Sequence, residues 1–164
     1  MRNIFIAILL FISMSLSGQS IIGAIASSGG SSAAYGSELI TNGDMGSATG
    51  WVLDDAGSSV TGGAMVVNSA NNYTTMFSQL ISMTVGHTYK IEFDVTSYTS
   101  GSIRFILGDI NTGTNKNDIS YYEPQHVSVE LLFDNAATTV EIAFYSWSAG
   151  CVMSIDNVSV KEVL

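Results

Sequence analysis

A chain of 164 residues that is 46 % hydrophobic and only 12 % charged can bury one real core, which excludes a disordered chain and a charge-covered helical bundle. Its formal net charge of −9 repels phosphate backbones and argues against nucleic acid as a partner, leaving neutral or cationic partners, divalent metals or sugars. Gly, Ser, Thr, Asn and Val are abundant while Lys, Arg, Glu and Gln are scarce, a balance that favours strands and tight turns.

Arg2 precedes an apolar run over residues 4–12, and Ala24-Ile25-Ala26 follows a mixed stretch. The run is shorter than the ~20 residues a spanning helix needs. It reads as a secretory signal cut after Ala26, with a hydrophobic anchor over residues 1–26 as the competing reading. Residues 27–37 are Gly, Ser and Ala with one Tyr, and read as a flexible tether. The body is therefore expected over residues 38–164.

Weak strands are expected at residues 39–41, 51–54, 64–68 and 75–83. Residues 87–95 give the clearest one: Tyr89, Ile91, Phe93 and Val95 alternate with Thr88, Lys90, Glu92 and Asp94. Residues 102–107 place Ile103, Phe105 and Leu107 on one face. Residues 111–122 read as a long polar loop, or as a loop with a short strand at residues 119–121. Residues 125–133 alternate again through Val127, Val129, Leu131 and Phe133, and residues 139–145 through Val140, Ile142 and Phe144. Turn signals such as Gly62-Gly63, Val85-Gly86 and Ser100-Gly101 separate these segments. In the last strand Met153 and Ile155 share one parity and Val158 and Val160 the other, so the phase slips at Asp156-Asn157, the mark of a β-bulge. The class expected is all-β, a sandwich of two antiparallel sheets preceded by a hydrophobic segment.

Cys151 is the only cysteine, so the chain cannot form an internal disulfide. It is a reactive thiol, an intermolecular bridge, or a small apolar residue packed in or beside a strand; with no nearby His or basic residue to lower its pKa, the packed reading is preferred. His87 and His126 have no Cys or His partner at ligand spacing, and no nucleophile elbow, phosphate loop or zinc-helix motif is present. The acids are scattered singly. These features point away from an enzyme.

Three motifs converge: E-L-I-T-N-G-D-M over residues 38–45 followed by Gly50-Trp51, V-G-H-T-Y-K-I-E-F-D-V over residues 85–95, and S-I-D-N-V-S-V-K-E-V over residues 154–163. Together they resemble carbohydrate-binding modules of the family 4/9 type, galactose-binding-like jelly rolls, over almost all of residues 38–163. The opening and closing motifs also resemble modules of bacteriophage tail and fibre proteins. The resemblance implies a jelly-roll β-sandwich and a non-catalytic module that is secreted or displayed on a surface and binds a glycan or cell-surface polysaccharide. The alternative it implies is a structural or decoration subunit of a virion, held by its N-terminus against assembly proteins or further copies of itself. It further implies a structural calcium joining the N-terminal motif to the last strand, with Asp156, Asp44 and the backbone around Asn42 as its ligands. Here the pattern's aromatic is Met45 and its acidic residue Gly46, which removes one carboxylate; without a cation, Asp44 is a turn residue and Asp156 caps the bulge.

Sugar recognition needs flat rings for stacking beside hydrogen-bonding groups. Tyr73, Tyr98, Tyr121, Tyr122, Tyr145 and Trp147 are candidate stackers, whereas Trp51 is expected in the core. Parity puts Tyr145 on the outward face with Glu141, and Trp147 on the same side. Arg104 also faces outward, so Arg104, Tyr145 and Trp147 form one candidate ligand-binding patch. Tyr121 and Tyr122, beside the polar loop, form another.

Overall fold

The computed structural model describes residues 33–108, 119–134 and 139–164. The expected signal or anchor and most of the polar loop lie outside these residues. Among the described residues eleven strands are formed: β1 (Tyr35–Glu38), β2 (Val52–Leu53), β3 (Ser58–Thr61), β4 (Ala64–Ser69), β5 (Thr74–Ser82), β6 (Thr88–Ser100), β7 (Ile103–Gly108), β8 (Ser120–Tyr121), β9 (Gln125–Leu132), β10 (Thr139–Ser146) and β11 (Cys151–Val163). They make two antiparallel sheets of a jelly-roll sandwich. One runs β3-β4-β11-β6-β9, with β1 also on β11; the other runs β2-β5-β10-β7-β8.

The alternating segments do what period two requires. Tyr89, Ile91, Phe93 and Val95 of β6 are buried, and Val140, Ile142 and Phe144 of β10 meet them from the opposite sheet. Phe144 is the hub. It stacks on Phe77 at 4.7 Å and receives Phe93 edge-on at 5.0 Å, so it ties both sheets together. Each such pair contributes about 0.5–1.5 kcal/mol beyond the area it buries. Cys151 packs into this core, and burial pushes its thiol up to about 11, which keeps it protonated and unreactive. Trp51 is likewise buried, edge-on to Phe77.

The phase slip at Asp156-Asn157 is a bulge. Asp156 faces Asp94 on β6 while Ser159 faces Glu92, and Asn157 takes a left-handed φ of 54°. Two aspartates directly opposite would repel. Asn157 relieves this by donating from Nδ2 to Asp94 Oδ2 at 2.8 Å, and His126 Nδ1 lies 2.7 Å from Asp94 Oδ1.

Two boundaries differ from expectation. β1 begins at Tyr35, inside the segment read as a tether, and pairs with the end of β11 through the backbone. The chain then leaves the sheet where residues 39–41 were expected to be a strand. Glu38 makes that exit: its Oε1 accepts from the N–H groups of Ile40 and Val160, and its Oε2 accepts from Ser159 Oγ at 2.6 Å. β3 is an unanticipated strand that pairs with β4.

Candidate glycan-binding face

The outward side of the β2-β5-β10-β7-β8 sheet carries one row of paired residues. Tyr145 on β10 stands opposite Thr75 on β5 and Arg104 on β7, and Arg104 stands opposite Ser120 on β8. Because side chains alternate, all four project away from Phe144 and Phe105. The register slips between Phe144 and Tyr145, so β5 gives an extra residue here and re-aims the row beyond it.

Trp147 follows β10 and is fixed from the backbone, its N–H donating to Ser102 O at 2.9 Å. The Arg104 guanidinium carbon lies 3.2 Å from the centroid of the indole, so the cation sits over the face of the ring. Its Nε donates to Ser120 Oγ at 3.1 Å, which holds the guanidinium over the sheet. Tyr73 meets Trp147 in an edge contact at 4.8 Å, and Tyr145 lies tilted 6.2 Å from it. Four side chains from three segments thus form a continuous aromatic and cationic surface. It offers ring faces for the C–H side of a pyranose and N–H and O–H groups for its hydroxyls.

The patch expected from parity, Arg104 with Tyr145 and Trp147, is brought together. The loop-edge pair is not. Tyr121 is only 5 % exposed and packs edge-on against Phe93 at 5.2 Å, so its ring belongs to the core. Its neighbour Tyr122 lies just past the end of β8 and is 60 % exposed. Tyr98 lies on β6, in the other sheet. Tyr73 is the residue whose part the sequence understated: its ring is 58 % exposed and it completes the cluster around Trp147.

Asn42, Asp44 and Asp156 stand on bonds of their own. Asn42 donates from Nδ2 to Thr49 O at 2.7 Å, and its carbonyl accepts from Met45 N and from Trp51 Nε1. Asp44 Oδ1 accepts from Gly46 N, and Asp156 Oδ1 accepts from Asn157 N at 2.7 Å. The turn and the bulge do meet, since Val158 N donates to Gly43 O at 2.8 Å. Among the described residues, no three His, Cys, Asp or Glu side chains converge. His87 and His126 form surface pairs with Glu162 and Asp94 on the other sheet.

No family model and no curated protein sequence matches this chain. Solved structures do. A carbohydrate-binding module described as "CBM4 structure and function" superposes with a TM-score of 0.58 at 19 % identity, over 75 % of this chain and 99 % of that one. The C-terminal family 22 carbohydrate-binding module of Clostridium thermocellum Xyn10B gives a TM-score of 0.54 at 13 % identity, over 79 % and 93 %. The family 22 and family 10 modules of the same organism's xylanase, crystallised with xylohexaose, give 0.50 at 12 %, with 77 % of this chain matched to 29 % of that one. These likenesses establish the fold: the chain has the sandwich of carbohydrate-binding modules.

Proposed function

We propose that this domain is a non-catalytic glycan-binding module, secreted or displayed on a surface, that takes a sugar chain across Tyr73, Tyr145, Arg104 and Trp147. The observation that carries the reading is the aromatic and guanidinium cluster on the outward face of the β10 sheet. Support comes from the fold shared with modules whose descriptions name carbohydrate binding. The strongly acidic chain favours a neutral glycan over a polyanionic one.

Titration calorimetry with a panel of soluble neutral oligosaccharides, xylohexaose among them, tests this. Saturable binding that disappears in Trp147→Ala and in Tyr145→Ala supports it. No binding across a broad glycan array, or binding that both substitutions leave intact, overturns it.

A further inference from the structure

Ser146, the last residue of β10, stands between Tyr145 and Trp147, and its side chain is fully buried at 0 % exposure. A buried hydroxyl needs partners, and this one finds them in the turn that carries Tyr73. Ser146 Oγ accepts from Thr74 N at 3.3 Å and donates to Asn71 O at 3.0 Å. Thr74 Oγ1 closes the same turn by donating to Asn72 O at 3.2 Å, and Ser69 Oγ accepts from Asn71 N. Within this turn Tyr73 has a φ of 54°, a left-handed conformation that a bulky aromatic residue rarely adopts. Such a backbone persists only where its surroundings over-determine it. Here the surroundings are hydroxyl groups, and the outcome is a tyrosine ring held against Trp147.

The geometry points to Ser146 as a positioning residue for the glycan face. Its hydroxyl staples the turn over residues 71–74 to the end of β10, so that Tyr73 stands against Trp147 before any ligand arrives. The consequence for affinity rests on the proposed glycan-binding reading; the placement of the ring does not. Ordering the turn in advance removes an entropic cost that binding would otherwise carry.

Both arms are read on the full chain. In nitrogen-15 NMR spectra the Trp147 indole N–H reports the nearby tyrosine ring, and the Trp51 indole, deep in the core, reports the fold. Ser146→Ala and Tyr73→Ala are each expected to move the Trp147 signal while Trp51 stays, and the double variant is expected to move it no further than Tyr73→Ala alone. A Trp147 signal that stays in place in Ser146→Ala, or additive shifts in the double variant, overturns the proposal. Should Ser146→Ala fail to fold, amide exchange in the unaltered protein decides: Thr74 N–H must exchange about tenfold or more slowly than Tyr73 N–H, and equal rates overturn the staple. With xylohexaose as probe, Ser146→Ala is expected to weaken binding about tenfold. Wild-type affinity in Ser146→Ala beside lost binding in Trp147→Ala overturns this inference alone. Unchanged affinity in Trp147→Ala overturns the glycan face, and the NMR arm still decides the role of Ser146.

Discussion

The Arg104 guanidinium sits over the Trp147 indole, its central carbon 3.2 Å from the ring centroid. One face of Trp147 is therefore already covered by a cation from the neighbouring strand. The ring acts as the spine of a cluster rather than as a bare platform, and Tyr73 and Tyr145 extend the surface on its flanks.

Stacking of a planar cation depends on its shape as well as its charge. Arg104→Ala is expected to lower unfolding free energy by about 1–2 kcal/mol, and Arg104→Lys to recover less than half of that loss, because an ammonium cannot lie flat on the ring. Urea unfolding monitored by tryptophan fluorescence measures both. Full recovery in Arg104→Lys would show that charge alone is at work.

Tyr73 separates binding from stability. Asparagine tolerates a left-handed backbone far better than tyrosine, so Tyr73→Asn relieves strain while removing the ring. Unfolding free energy is expected to stay within about 1 kcal/mol of the parent, since the relief offsets the lost ring contact. Affinity for the cognate glycan is expected to fall about two- to tenfold, the range of a lost stacking contact. Denaturant titration and calorimetry on one preparation read both quantities.

His126 is held above its ordinary value of 6.5, first by its hydrogen bond to Asp94 and then by the charges of Asp94 and Glu92. Asp94 is held below 3.8, first by the amide of Asn157 and then by His126. A raised histidine stabilises the fold fully below its unfolded value and loses that contribution as pH rises through the folded one. A depressed aspartate contributes above its unfolded value and loses that contribution as pH falls through the folded one. The pair therefore contributes most between these limits. NMR titration of the His126 ring is expected to give a midpoint above 6.5 that falls in Asp94→Asn. Because the ring is exposed, the shift is expected to shrink with added salt.

At Gly43 the backbone of the N-terminal motif meets the backbone of the last strand, Val158 N donating to Gly43 O at 2.8 Å. A Cβ there would sit 1.8 Å from the Val158 carbonyl oxygen, a backbone atom that cannot step aside without opening the bulge. Gly43→Ala is expected to cost roughly 2–4 kcal/mol, the range of substitutions that break backbone packing. Thermal unfolding measures it, and a near-neutral result would mean that the turn and β11 separate easily.

The sandwich was legible because β6, β9 and β10 each carry a half-buried face, and a half-buried face imposes period two on the sequence. The bulge was legible for the same reason, as a break in that period at Asp156-Asn157. β1 was not, because its pairing with β11 uses backbone groups and leaves Tyr35, Ser37 and Glu38 exposed. β3 was hidden in Ser58-Ser59-Val60-Thr61, which has no apolar alternation. At the site, parity placed Arg104 and Tyr145 correctly, since both lie inside well-marked strands. It could not place Tyr121, whose strand of two residues offers no phase to count. Nor could it join Tyr73 to Trp147, a contact made between a turn and a strand end that are remote in the chain.

β11 occupies the middle of the six-stranded sheet, with β6 along one edge and β4 and β1 along the other. On the ribosome, β4 and β6 emerge well before the strand that joins them. Until residues 151–163 clear the exit tunnel, both present unpaired edges and apolar faces to the cytosol or translocon. Completion of this fold is then a single late event, and nascent chains stalled short of β11 are natural clients for chaperones.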